Sequence, residues 1–452
     1  MAGGVWTAQN KILPGYYLNV RAAAPSTLNY GVSGVAAICE PMSWGPVATP
    51  ITIDSNTDVF QTLGYDLGTS EKMLFLRELF LGATTPDGTP RVGGAASVLL
   101  YRPAAAGAAQ AKATMGNLTA TAKYPGIRGN DITITISADA DNDGYFFVET
   151  SVGGAVQDSQ HVNAIASLTA NGWVTFTGTG ALAAAVATAL TGGLDGTVAA
   201  SAYASFLTVV EPLAFNVLIY DGTDSTVAAS FVTFVNRLRD EQGLKIRLVT
   251  SGSESADNEA ITSIANGMKL SNGTTLTAAQ CCWWIGGCSA GATYYQSLTY
   301  AVHPGAVDVS PKYTLTQMKE NVKAGKLTFF EDDGTVRILE DINTLTTFTA
   351  TKNDAFSRNR VMRVLDYIAN SLYRAFADYN IGQTDNNSSG RDLVKKEVVG
   401  LLKTMQANNG VQNFSNADVT VLPGEASNAI TIDLAVQPVD AVEKIYMTMT
   451  VN

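Results

Sequence analysis

Chemistry in this chain would have to come from two histidines, four cysteines and a few aspartate-rich turns. His161 and His303 lie in unrelated contexts, which leaves little material for a histidine-based triad or metal centre. His303, directly before Pro304-Gly305, reads as a turn residue. Asp139, Asp141, Asp143 and Gly144 fit the opening of a calcium loop, but Thr150 stands where the closing bidentate glutamate is needed. The flanks read as strands, so a β-hairpin turn is expected there. Asp221-Gly222-Thr223-Asp224 follows an apolar run and could hold a cation or cap the next helix; the cap is expected. Neither a Gly-Lys-Ser/Thr phosphate loop nor a glycine fingerprint between Tyr220 and Val227 is found. Cys39, Cys281, Cys282 and Cys288 have neither zinc-site spacing nor a disulfide framework and read as buried thiols. No catalytic residue, metal or cofactor is expected. An α/β hydrolase using Asp221 or Asp224 would lack both nucleophile and base.

The two ends carry stronger patterns. Ile430, Ile432, Leu434 and Val436 alternate with polar partners, and Ile445, Met447, Met449 and Val451 alternate with Tyr446, Thr448 and Thr450. Near the start, Tyr16, Leu18 and Val20 alternate with Tyr17, Asn19 and Arg21 after the Leu13-Pro14-Gly15 turn. Such period-two segments are strands, and a strand leaves unpaired N–H and C=O groups unless a sheet receives it. Each end therefore either pairs within its own fold or adds to a neighbouring copy's sheet edge, and the second option makes a polymer.

Between the ends, the periodicity changes several times. Val32 to Ile38 reads as a buried strand, Met73, Leu74, Leu76, Leu79 and Phe80 as a helix between Ser70 and Gly82, and Ser97 to Tyr101 as a strand. Arg102 to Ala113 has the Ala, Gly and Pro content of a linker. Beyond it, Leu118 to Ala122, Ile132 to Ile136, Tyr145 to Glu149 and Trp173 to Thr177 predict a small β domain. After Thr191-Gly192-Gly193-Leu194-Asp195-Gly196, Phe215 to Tyr220, the helical stripe Val227, Phe231, Phe234, Val235 and Leu238, and Ile246 to Val249 predict a βαβ unit with a parallel sheet. Thr277 is a plausible cap for the helix carrying Cys281 to Cys288, and Asp332-Asp333-Gly334 predicts a hairpin. The C-terminal part reads as helical: Val361, Leu365, Ile368, Leu372 and Phe376 form one stripe, with Arg360, Arg363 and Arg374 expected on the surface. A second helix from Gly390 to Ala407 has the stripe Val394, Val398, Leu401 and Met405, and the 100° step puts Lys396 and Lys403 opposite it.

The fold class expected is an α/β core sheet flanked by helices, with an inserted mainly-β domain, a C-terminal α+β region and extended terminal arms. The boundaries are 1–29 for the N-terminal arm, 30–110 and 200–350 for the core, 111–199 for the insertion, 351–429 for the C-terminal domain, and 430–452 for the last strands and arm. Of the 452 residues, 15% are charged and 46% apolar, with 41 glycines, which suits a surface covered by other subunits. A net charge of −11 argues against broad binding to nucleic acid or anionic membranes. No apolar run approaches a membrane span, and Met1-Ala2-Gly3-Gly4 does not open a signal peptide, so a chain made and kept in the cytosol is expected.

Several stretches, in order over nearly the full length, resemble the tail sheath proteins of contractile phage tails and phage-tail-like bacteriocins, of the diffocin-like and PBSX-like kind. They include Leu13-Pro14-Gly15-Tyr16-Tyr17, Trp44-Gly45-Pro46, Ala122-Lys123-Tyr124-Pro125-Gly126-Ile127-Arg128-Gly129-Asn130 and Gly192-Gly193-Leu194-Asp195-Gly196. Further along are Tyr300-Ala301-Val302-His303-Pro304-Gly305, Asp333-Gly334-Thr335-Val336-Arg337-Ile338 and Arg358-Asn359-Arg360-Val361-Met362-Arg363. Tyr17 stands where many relatives carry valine, which keeps strand character. The resemblance implies subunits stacked as hexameric rings around an inner tail tube, with baseplate and tail terminator or collar as further partners. It also implies contraction that drives the tube through an envelope, within a released virion or tail-like particle. It implies strand exchange between subunits, which fits the reading of Tyr16, Leu18, Val20, Ile445, Met447, Met449 and Val451. Related sheaths use a C-terminal basic helix toward the tube, making Lys396 and Lys403, then Arg391 and Lys395, the tube-facing candidates. The rival structural reading is a surface-layer or capsid-type subunit.

Overall fold

The computed structural model describes residues 2–4, 15–17 and 34–451. Its centre is a seven-stranded sheet in the order Lys326–Leu327, Ile261–Ile264, Arg247–Ser251, Val217–Ile219, Val35–Cys39, Ser97–Tyr101, Pro50–Asp54. All neighbours run parallel except the last pair. The strands are apolar on both faces because both faces are covered. Ala36, Ile38, Val217 and Ile219 point into a core shared with the Leu74–Leu81 and Cys281–Gly291 helices. Ala37, Cys39, Leu218 and Tyr220 point the other way, toward the Ala200–Val210 and Ser225–Asp240 helices. Asp224 caps the latter helix, its carboxylate accepting from the Thr226 and Val227 N–H groups.

The inserted β region is two sheets over a separate core. One has the order Ala155–Val162, Phe146–Val152, Ile132–Ala138, Ala185–Ala189, and the other Val174–Gly178, Leu118–Ala122, Lys112–Met115. Trp44 reaches in from the core domain and stacks on Trp173, ring centroids 5.1 Å apart. The Arg102 to Ala113 stretch is not a free linker. Arg102 is buried, donating to the Gly45 and Pro125 carbonyls, and bridges join Ala106 to Thr197, Ala109 to Leu194 and Lys112 to Thr191. The two chain crossings thus hold each other, which composition alone does not reveal.

The C-terminal region is α+β. The Asn359–Ala375 and Ser388–Ala407 helices share a core with an antiparallel hairpin, Val419–Pro423 paired to Ile430–Leu434. Val364, Ile368, Val398, Leu401, Leu402 and Met405 fill this core, and Val421, Ile432 and Leu434 pack on it from the hairpin. Arg363 is a correction: it is buried, because Asp341 draws it inward as an ion-pair partner. No helix among the described residues is long and apolar enough to cross a membrane.

Candidate assembly surfaces

The residues with chemical potential are used structurally. Asp139 accepts from the Asp141 N–H and the Asn142 side chain, so the aspartate cluster closes the turn between two strands. No group of three or more His, Cys, Asp or Glu among the described residues could hold a metal ion. All four cysteines are free and buried. His303 is more than a turn residue: its Nε2 lies 2.7 Å from Glu78 Oε2 with both side chains buried, while Nδ1 accepts the Gly305 N–H.

The segments expected to exchange strands lie at the ends. Tyr16 falls in the Gly15–Tyr17 strand, whose backbone pairs in parallel with Ala2–Gly4. Leu18 and Val20 lie outside the described residues. At the other end, residues 441–451 form neither helix nor strand, and the expected second C-terminal strand has no partner strand among the described residues. Its apolar side chains face solvent, with Ile445 83%, Met447 80%, Met449 78% and Val451 88% exposed. A contiguous run of this kind is unusual on a soluble surface and marks a segment made to be covered.

A second strand pair lies in the same domain. The Val419–Pro423/Ile430–Leu434 hairpin is a two-stranded sheet whose outer edges pair with no other strand among the described residues. One face packs on the Ser388–Ala407 helix through Val421, Ile432 and Leu434, while Thr420, Leu422, Thr431 and Asp433 are exposed. The Ile430–Leu434 strand was legible from alternation. Its partner was missed, although Val419 and Val421 around Thr420 gave the same signal in brief.

On the Ser388–Ala407 helix, Val394, Val398, Leu401 and Met405 are buried, and Lys396 and Lys403 are exposed. Neither lysine forms an ion pair among the described residues. Lys395 is half-buried. Arg391 is committed elsewhere: also half-buried, it donates from Nη1 to Asn386 Oδ1 at 2.9 Å in the loop before the helix.

A buried polar network fastens this domain to the central sheet. Asp366 receives Arg239 at 2.8 Å and Arg247 at 3.2 Å, and Asp341 receives Arg363 at 2.8 Å. Asn359 bridges the two, donating to Asp341 Oδ1 and accepting from Arg247 Nη1. Burial alone would raise Asp341, but Arg363, the Leu298 N–H and Asn359 together hold it below the ordinary carboxylate value.

Residues 105–195 match the phage tail sheath protein beta-sandwich domain, 196–344 the phage tail sheath protein central domain, and 351–452 the phage tail sheath C-terminal domain. Residues 33–86 match the tail sheath protein Gp18 domain III N-terminal region. The phage-like element PBSX protein XkdK of Bacillus subtilis is 34% identical, with all of both chains covered. The chain belongs to the phage tail sheath protein family. A sheath tail protein from Desulfitobacterium hafniense has a similar solved structure, with TM-score 0.85 and 39% identity over 96% of this chain and 99% of that one. A Listeria innocua sheath tail protein matches with TM-score 0.75 and 29% identity over 93% and 95%. The mixed α/β fold with its β-sandwich is thus a sheath fold, and the chain is a component of a contractile phage tail or tail-like particle.

Proposed function

We propose that this sheath subunit polymerises by donating its C-terminal segment to a neighbouring copy's sheet. The observation carrying the reading is the exposed apolar run Ile445 to Val451, which pairs with no strand among the described residues, beside a C-terminal hairpin whose two edges are likewise open among them. Added as a strand, the segment would put Ile445, Met447, Met449 and Val451 on one face and satisfy backbone groups on both partners. The N-terminal segment through Tyr16, Leu18 and Val20 is a second donor. A head-to-tail contact of this kind does not close on itself, so it builds a helical stack of rings, hexameric in this proposal, around an inner tube.

Contraction then needs no fuel. Contacts to tube and baseplate hold the extended sheath away from its contracted minimum, and triggering at the baseplate releases the stored free energy. Subunits rotate as rigid bodies while exchanged strands, each fixed by several ladder hydrogen bonds, keep them connected. Tube contacts must be weak and reversible. Solvent-screened charges worth about 0.2–1 kcal/mol each suit that role, which favours Lys396 and Lys403.

Ending the chain at Lys444 tests the reading. The truncated protein should keep the thermal unfolding of the full chain yet form no tubes in negative-stain micrographs. Tubes of ordinary length from the truncated chain would overturn strand donation, and flat lattices or closed shells from the full chain would replace the sheath stack with another assembly.

A further inference from the structure

The base of the C-terminal arm is gripped at two points, and both grips converge on one buried residue. At the first, Arg358 Nη1 donates to Asp440 Oδ2 at 2.9 Å. The next residue, Asn359, donates its backbone N–H to the Asp341 carbonyl and its side-chain amide to Asp341 Oδ1. At the second, the Thr299 hydroxyl donates to Glu443 Oε1 at 2.8 Å and accepts the Asp341 N–H at 3.0 Å. A single hydroxyl therefore separates the arm from the core. Asp341 is 2% exposed, pairs with Arg363, and is joined through Asn359 to Arg247 on a central strand.

The chain's surroundings change where these grips end. Gln437–Pro438 pairs with Val411–Gln412, and the Val439 N–H donates to the Gly410 carbonyl. Asp440, Ala441 and Glu443 are half-buried, whereas every residue from Lys444 to Val451 is exposed. Burial lowers the Arg360 guanidinium, partly offset by the charges of Asp440 and Glu443, and its buried Nε has no hydrogen-bond partner among the described residues.

We infer that Arg358 and Thr299, through Asp440 and Glu443, form a two-point latch. It fixes the exit of the arm and carries tension on that arm into the central sheet through Asp341. The inference rests on the donor-strand reading and adds where the arm hinges: after Glu443, leaving 445–451 as the moving lever. The latch residues are positioning residues, since they touch the arm's base rather than the segment that is donated.

The test is amide hydrogen exchange on the soluble full-length subunit carrying Asp440→Asn with Thr299→Val. Exchange of the Gln437 and Val439 amides should rise about three- to tenfold, while Leu248 and Val249 in the central strand keep wild-type protection. Asp440→Glu, which retains the charge, should return most of the protection. In assembled tubes the double variant should break into shorter pieces at a shear that leaves wild type intact. Unchanged exchange at 437 and 439, or wild-type tube lengths after shear, would overturn the latch. Truncation at Lys444 reads the donor-strand proposal separately: if it abolishes tubes while the double variant behaves as wild type, only the latch fails.

Discussion

The Arg363 guanidinium meets the Asp341 carboxylate at 2.8 Å with the two side chains only 5% and 1% exposed. One partner comes from the Asn359–Ala375 helix, the other from the segment after the Thr335–Ile338 strand, so the pair fastens the C-terminal domain to the core. A buried pair is weak evidence of net stabilisation, but breaking it strands a charge. Arg363→Met should cost about 3–5 kcal/mol by urea unfolding at pH 7. Asp341 is held below its unfolded value in the native protein, so its contribution is present above the unfolded pKa and lost as pH falls through the folded one. Without Arg363, burial would instead raise Asp341. The gap between variant and wild type should therefore narrow as pH is lowered toward about 4.

Glu40 and Asp221 give the opposite pH dependence. They follow neighbouring parallel strands, Val35–Cys39 and Val217–Ile219, and Asp221 accepts the Trp283 indole N–H at 2.7 Å. Burial first, then the Asp221 charge, raises Glu40 well above the ordinary carboxylate value, and burial also raises Asp221. The titratable groups around them are Cys39, Tyr203, Tyr220 and Cys282, none of them cationic. A raised folded value gives a contribution that is full below the unfolded pKa of about 4.3 and lost as pH rises through the folded one. Glu40→Gln should therefore unfold at a higher temperature than wild type at pH 9, with a smaller difference at pH 5. Each tenfold difference in acidity between folded and unfolded chain is worth about 1.4 kcal/mol. A variant that loses stability equally at both pH values would contradict this burial-driven pH dependence.

Gly287 tests the close approach of two helices. A methyl group added there would lie 2.1 Å from the Leu79 carbonyl oxygen, a backbone atom that cannot swing aside. The Cys281–Gly291 and Leu74–Leu81 helices would have to separate, weakening the bond from the Trp284 indole N–H to the Gly82 carbonyl. Gly287→Ala should cost about 1–3 kcal/mol, as overpacking typically does, and reduce the near-ultraviolet dichroism of the tryptophans.

Much of this was legible because period reports burial. The apolar run Phe215 to Tyr220 had no polar face, and its strand is covered on both sides; Lys396 and Lys403 fell opposite the stripe Val394 to Met405 and are exposed. What period cannot report is a partner distant in sequence. Arg363 looked like a surface residue because the Asp341 that buries it belongs to another element. The Ala- and Gly-rich crossing at 102–113 looked like a linker because residues 191–197 hold it. The segment Ile445 to Val451 has strand alternation without a strand, a disagreement expected where the partner is another molecule.

Lys396 and Lys403 lie seven residues apart on a helix, so their side chains share one face and present two positive charges, unpaired among the described residues, on a chain of net charge −11. Neither contributes to the core, so Lys396→Glu with Lys403→Glu should leave unfolding of the subunit within about 0.5 kcal/mol of wild type. Tube-templated assembly should respond very differently. If these lysines meet an acidic tube surface, wild-type co-sedimentation with tube protein weakens as salt is raised, because exposed charges are screened beyond about 8 Å at physiological ionic strength. The double reversal turns attraction into repulsion and should abolish co-sedimentation at low salt, leaving only spontaneously contracted polymers. Extended particles forming around the tube as readily as in wild type, with the same salt dependence, would remove this helix face from the tube contact while leaving strand exchange untouched.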